Sequence, residues 1–169
     1  MPRTASPDAG SAASAAVFVA GLQDEHIALV AFTSLLRTEQ DALVQGDADR
    51  LAEIATDKAE QLELLTLLGE SRSRHLAAQN LNGSAEGMLT WLSRNPGFGA
   101  AVKKIWRDLL AQAETARQIN HSNGLLIESR LQQNRLKLAV LQTAAACDGV
   151  YRPDGQLRPL RSTRSLSQV

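Results

Sequence analysis

Apolar residues recur at alternating intervals of three and four residues through most of this chain, which is the spacing of one face of an α-helix. A first helix is predicted from residue 14 to about residue 44, with Ser14 as its N-cap. One stripe of this helix holds six apolar residues and two glutamates, namely Phe18, Leu22, Glu25, Leu29, Phe32, Leu36, Glu39 and Leu43. This spacing predicts that the stripe packs against other helices.

A second long helix is predicted from about residue 48 to about residue 79. Gln45 and Gly46 predict the end of the first helix, and Asp47 is the predicted cap of the second. The connection is short, so the two helices are expected to be antiparallel neighbours. The apolar stripe of the second helix consists of Leu51, Ile54, Leu62, Leu65, Leu68 and Leu76.

A third long helix is predicted from about Phe98 to Ala146, after an interruption with turn signals at residues 82–83 and 95–97. Between the two turns, a short helix is expected to carry Met88, Leu89, Trp91 and Leu92. The long helix either extends beyond its partners or bends at Gly124, because an interior glycine costs about 1 kcal/mol relative to alanine. Its stripe has the helical period and holds Phe98, Val102, Ile105, Leu109, Ala113, Ala116, Asn120, Asn123, Ile127, Leu131, Asn134, Leu138, Leu141 and Ala145.

These patterns predict an all-α fold, an elongated antiparallel bundle of three long helices with a short connecting helix and a flexible C-terminal tail. Residues 1–13 are small, polar and Pro-containing, and are predicted to be disordered. Residues 14–147 form the predicted helical bundle domain. Residues 148–169 form the predicted tail, because Asp148 and Gly149 stop the helix and Pro153 and Pro159 follow.

The charge balance argues against a dedicated nucleic-acid or anionic-membrane binder, since 18 basic residues face 18 acidic ones at a pI of about 6.8. Residues 9–70 hold 11 acids and 3 bases, a net charge of −8, and residues 71–169 hold 6 acids and 14 bases, a net charge of +8. Either the two parts fold against each other with complementary fields, or a basic face awaits an acidic partner. No signal peptide is expected, because the N-terminus lacks an apolar core of signal-peptide length. No membrane insertion is expected, because no window reaches about 18 uninterrupted apolar residues.

No catalytic constellation accompanies these helices. His26, His75 and His121 lack acidic or cysteine partners at helical spacing, and no base can be named for Cys147, the single cysteine. There is no glycine-rich phosphate loop, no paired Cys/His metal spacing and no nucleophile elbow. The chain is therefore predicted not to be an enzyme and to need no cofactor and no metal.

Three asparagines interrupt the apolar stripe of the third helix, where a purely structural helix would hold Leu or Ile. Asn120, Asn123 and Asn134 can fix the register against a neighbouring helix of the same chain. Alternatively, their amides meet the backbone of an incoming segment, while Leu126, Ile127, Leu131, Leu138 and Leu141 supply apolar anchors. The sequence leaves both interpretations open.

Residues 120–156 resemble the FlgN family of flagellar type III export chaperones. The resemblance rests on an ordered set of residues within this stretch: Asn120, Asn123, Gly124, Leu126, Ile127, Glu128, Leu131, Asn134, Leu138, Leu141, Tyr151, Gly155 and Gln156.

The resemblance implies a cytoplasmic, all-helical chaperone that works without nucleotide. It implies binding to the C-terminal helices of the hook–filament junction proteins FlgK and FlgL, and delivery of these clients to the export gate subunit FlhA. Tyr151 is the implied gate-docking residue, unless its ring only packs on the helix end. The chain is expected to be a monomer or a weak homo-oligomer, with a self-associating helical adaptor or structural coiled-coil protein as the alternative. The implied client-binding residues are Asn120, Asn123, Gly124, Leu126, Ile127, Leu131, Asn134, Leu138 and Leu141.

Overall fold

The computed structural model describes residues 8–148, and the side chains of residues 13–144. Within this range the chain forms helix α1 (Asp8–Gln45), α2 (Ala48–Ala77), α3 (Ala85–Arg94), a 3-10 turn (Pro96–Phe98) and α4 (Gly99–Asp148), with no strand. The prediction of an all-α fold with three long helices and a short connecting helix is confirmed. The chain divides into two compact units, residues 1–126 and residues 127–169.

Helix α1 begins at Asp8, six residues before Ser14, so the prediction that Ser14 caps the helix is wrong. Alanine is the strongest helix former, and Ala9, Ala12 and Ala13 extend the helix in front of Ser14. Residues 8–13 of the segment predicted to be disordered are therefore helical, and residues 1–7 lie outside the described residues.

The turn between α1 and α2 has the predicted chemistry. Gly46 adopts a positive φ of 78°, which a residue with a side chain rarely adopts, and this ends α1. The Asp47 side chain caps α2 by accepting a hydrogen bond from the Arg50 backbone N–H at 3.0 Å. The chain therefore reverses direction within two residues, and the prediction for this connection is confirmed.

The predicted stripe of α1 forms the core face of the first unit. All eight of its positions are buried, including the two glutamates. Glu25 receives two hydrogen bonds from the Arg72 guanidinium at 2.9 and 3.2 Å, and Glu39 receives two from Lys58 Nζ at 2.9 and 3.0 Å. The residue numbers of both pairs have the same sum, 97, as two antiparallel helices in one continuous register require. The buried ion pairs thus fix the register of α1 against α2.

The first part of α4 packs against this hairpin and runs parallel to α1. Arg72 places its guanidinium carbon 5.3 Å from the centre of the Trp106 ring, and Lys58 donates to Asn120 Oδ1 at 2.9 Å. Arg72 and Lys58 are 14 residues apart in α2, and their partners in α4, Trp106 and Asn120, are 14 residues apart in the opposite order. Helix α4 is therefore antiparallel to α2 and parallel to α1. The α4 side chains of the core are Val102, Trp106, Leu109 and Ala116.

Helix α3 inserts its apolar side into the same core. Met88, Trp91 and Leu92 are buried, whereas Leu89 is 59% exposed and does not share that side. The helix starts close to the preceding loop, where Asn82 Oδ1 accepts a hydrogen bond from the Gly87 N–H at 3.0 Å. A Cβ atom at Gly87 would collide with the Asn82 backbone, so glycine is needed at this close approach.

Residues Ala13–Gln45 of α1 are long and apolar enough to cross a membrane by length and composition alone, with a mean hydropathy of 1.4 over an 18-residue window. The core helix of a bundle passes the same test. Phe18, Leu22 and Leu36 of this segment are buried in the core, and Glu25 and Glu39 form ion pairs with α2. We therefore interpret α1 as the core helix of the bundle.

His75 of α2 is half-buried against aromatic side chains of the core. Its ring stacks on Phe18 with 4.1 Å between ring centroids and lies 6.3 Å from the Trp91 ring. Gln79 Nε2 lies 3.0 Å from His75 Nε2. Burial of the ring lowers the pKa of His75 below its usual 6.5, because the charged imidazolium loses hydration there. The interpretation of His75 as a packing histidine agrees with this environment.

The lowered pKa of His75 predicts a loss of stability in mild acid. A group with a depressed folded-state pKa binds fewer protons when folded, so its contribution is complete above about pH 6.5 and is lost as the pH falls through the folded pKa. His75→Phe keeps an aromatic ring against Phe18 but cannot titrate. We expect the unfolding temperature of the wild type to fall more than that of His75→Phe between pH 7.5 and pH 5, and parallel curves would contradict this role.

Candidate functional site

A polar network joins the three long helices near the middle of α4. Glu39 of α1 binds Lys58 of α2, and Lys58 also donates to Asn120 of α4. Asn123, one turn further along α4, donates from Nδ2 to the Leu36 carbonyl and to Glu39 Oε2, both at 2.8 Å. Asn123 is only 1% exposed, so this amide is a core residue of the first unit.

The network favours the register interpretation for two of the three asparagines. Asn123 is buried and bonded within the chain, and the exposed Asn120 is bonded to Lys58. Both amides therefore hold α4 against the hairpin in this structure. Asn134 differs from them, because it is exposed in the second unit.

This difference predicts opposite effects of two matched substitutions. Asn123→Ala removes two buried hydrogen bonds, one of them to a carboxylate, and is expected to lower the free energy of unfolding by about 1–3 kcal/mol. Asn134→Ala on the exposed helix is expected to change it by less than about 0.5 kcal/mol. Urea unfolding of both variants measures the difference. Equal effects, or a larger loss for Asn134→Ala, would contradict the assignment of Asn123 to the core.

The second unit is described from residue 127 to residue 148, all within α4. Of its described side chains, Arg130 is half-buried and the others are exposed. Four large apolar side chains and Asn134 lie within about 40° of a common direction at 100° per residue, which makes one continuous stripe. We call this stripe the seam; it consists of Ile127 (39% exposed), Leu131 (51%), Asn134, Leu138 (57%) and Leu141 (64%).

The opposite side of the same helical segment carries fewer apolar side chains. Leu136 and Val140 are 69% and 68% exposed, and they point about 140–180° away from the seam at 100° per residue. Residues 131, 134, 138 and 141 follow the 3-4-3 spacing that a two-helix contact requires, whereas the opposite side has no such run. The seam is therefore the surface of this unit best suited to receive another helix.

The remaining predicted site residues are placed as follows. Helix α4 is continuous through Gly124, and a Cβ atom there would meet nothing within 4 Å, so packing does not require glycine at this position. Leu126 is half-buried in the first unit. Tyr151 lies outside the described residues. Among the side chains that are described, no group of three or more His, Cys, Asp or Glu residues is placed to hold a metal ion.

Sequence reasoning missed Lys58, which contacts both Glu39 and Asn120. A signal for it was present, because a hairpin that turns at residues 46–47 places position 54 opposite position 39, and Lys58 lies one helical turn further along the same side of α2. A cation opposite a glutamate in the core stripe is the pairing that burial of the carboxylate requires.

Comparison with known proteins gives one family. The family model described as FlgN protein matches residues 14–159, which is most of the chain and includes α1 from Ser14 onward, α2, α3 and α4 with the seam. No significant match came from a search of the curated proteins or from a search of the solved structures.

Proposed function

The chain belongs to the FlgN family, a family of flagellar export chaperones and not of enzymes, and from this premise we propose that it binds the C-terminal helices of FlgK and FlgL. In this proposal the chaperone covers the client helices before assembly, prevents their premature association, and delivers the clients to the type III export gate through FlhA.

The observation that carries the proposal is the exposed seam of α4. Its four apolar side chains stand at the spacing with which one helix receives another, and nothing among the described residues covers them. An amphipathic client helix would bury its apolar face against the seam, with Asn134 as a polar contact in the middle. The proposed client-binding residues also include Asn120, Asn123, Gly124 and Leu126 of the first unit, where Asn123 is buried and the exposed Asn120 is bonded to Lys58.

The expected affinity follows from the need to release the client at the gate. A helix-on-helix contact of this size is expected to bind with a Kd between about 1 μM and 1 nM, or about −8 to −12 kcal/mol. Tighter binding would slow release, because affinity differences between related complexes lie mostly in the dissociation rate.

Co-purification tests the proposed client directly. The full chain is mixed with segments that contain the last ~40 residues of FlgK or FlgL, a length of about five heptads. We expect each segment to elute with the chain, and an N-terminal segment of the same client to elute alone. Absence of binding to both C-terminal segments would overturn the client assignment.

Gate docking is proposed to use Tyr151, the residue for which the family resemblance implies this role. A tyrosine supplies a large contact area with few rotatable bonds and is a frequent interface anchor. We expect Tyr151→Ala to weaken binding to the cytosolic domain of FlhA by about tenfold or more, which corresponds to the loss of one anchor of at least ~1.4 kcal/mol. Binding of the FlgK segment should stay within about twofold. If the variant binds both partners as the wild type does, Tyr151 is not the docking residue.

The proposal places the chain in the cytoplasm, as a monomer or weak homo-oligomer that inserts into no membrane and binds no nucleic acid. It requires no cofactor, because covering and releasing a helix needs only a change of contacts.

A further inference from the structure

Three of the four charges beside the seam are positive. Arg135 and Lys137 are exposed and lie on opposite edges of the seam, about 80° to either side of its centre at 100° per residue. Neither forms an ion pair with another described residue. The half-buried Arg130 adds a third positive charge, Glu128 beside Ile127 is the one negative charge, and no acidic residue occurs from Ser129 to Cys147.

These positions are the ones that decide which helix pairs with which. In a two-helix contact, the residues that flank the apolar seam meet the flanking residues of the partner. Opposite charges there favour a pairing, and like charges disfavour it. Two copies of this chain paired through the seam would bring Arg135 and Lys137 of each copy against the same cations of the other.

We propose that the seam selects a client helix whose flanking positions carry acidic side chains, and that the same basic edges oppose pairing of two copies of this chain. This inference rests on the proposed function, because it names the chemistry of the helix that the seam receives. The basic edges thus act as the specificity element, and the four apolar side chains supply the contact area.

Two synthetic peptides of about 21 residues, or three heptads, test the inference without FlgK or FlgL. Both carry the same leucine seam with one central asparagine, and their flanking positions are all Glu in one peptide and all Lys in the other. At about 50 mM salt the Glu peptide is expected to bind the full chain at least about tenfold more tightly than the Lys peptide. The difference should shrink at about 500 mM salt, since exposed charges are then screened.

Two variants of the full chain show where the preference arises. Arg135→Glu combined with Lys137→Glu is expected to reverse the order of the two peptides. Leu131→Ser combined with Leu138→Ser removes the apolar contact and keeps the edges, so both peptides should lose binding. Equal binding of the two peptides, no binding of either, or an unchanged preference in the charge-reversed variant would each overturn the inference.

The outcome is separable from that of the proposed function. If the FlgK and FlgL segments bind while the two peptides bind equally, the client assignment stands and the charge inference fails. If neither segment binds while the Glu peptide is preferred through Arg135 and Lys137, the charge inference stands and the client assignment fails. Sedimentation of the wild type provides a second check: a dimer that Leu131→Ser with Leu138→Ser abolishes would overturn the proposed opposition to self-pairing.

Discussion

Replacing Leu131 and Leu138 together by glutamate is expected to weaken binding of the FlgK C-terminal segment by at least about 100-fold. Both side chains are more than half exposed in the free chain, and a bound helix would cover them. Full burial of a leucine contributes about 1.5–3 kcal/mol, so covering the exposed half of each side chain contributes about 1.5–3 kcal/mol for the pair, and the two introduced carboxylates would also lose hydration in the contact. Isothermal titration calorimetry with the purified segment measures the change in Kd.

The matched control uses the opposite side of the same helical segment. Leu136→Glu combined with Val140→Glu adds the same two charges to α4 at side chains of similar exposure. This control is expected to change the Kd by less than about threefold, because rim charges contribute little to affinity. Both double variants should unfold at the temperature of the wild type. Equal losses of binding in the two variants would show that the seam is not the contact surface.

Trp91→Ala is expected to give the largest loss of stability among single substitutions in α3. Trp91 is 0% exposed, and its ring lies 4.7 Å from the Phe18 ring and 6.3 Å from the His75 ring. Truncating a fully buried tryptophan to alanine costs about 3–5 kcal/mol, from lost transfer free energy and from the cavity left behind. For a chain of this size that corresponds to a fall of roughly 6–20 °C in Tm, which differential scanning calorimetry measures.

Leu89→Ala provides the control within the same short helix. Its side chain is 59% exposed, so the expected change in the free energy of unfolding is within about 0.5 kcal/mol. Similar losses for Trp91→Ala and Leu89→Ala would mean that α3 does not pack as described. A loss below about 1 kcal/mol for Trp91→Ala would contradict the core assignment in the same way.

The sequence pattern predicted the core face of α1 well, because helical periodicity is a local property of the chain. The stripe from Phe18 to Leu43 is buried at every position, including Glu25 and Glu39. What the pattern did not reveal is why two carboxylates are tolerated in a core. Their partners, Arg72 and Lys58, lie 47 and 19 residues away in sequence and become neighbours only when α1 and α2 pair.

The asparagines of α4 show where periodicity alone ceases to discriminate. Asn123 and Asn134 occupy equivalent positions in one stripe, yet the first is buried against Leu36 and Glu39 and the second is exposed. The stripe determines the side of the helix on which each residue lies. Whether a neighbouring helix lies on that side depends on the tertiary structure, which the stripe does not contain.

The prediction of the first helix end failed for a similar reason. Ser14 has the chemistry of an N-cap, but a serine caps a helix only if the preceding residues leave the helical conformation. Here the preceding residues include three alanines, and the helix continues back to Asp8. The high helix propensity of these alanines favours a helix that starts at Asp8 over one that starts after Ser14.

Amide hydrogen exchange of the full chain, alone and saturated with the FlgK C-terminal segment, tests most directly the claim that the seam receives the client. Exposed helices with few packed side chains open readily, so residues 127–144 are expected to exchange fast in the free chain. The account predicts that the client slows exchange most strongly in residues 127–144 and changes α2 little. Slowing confined to α1 and α2, with residues 127–144 unchanged, would contradict it.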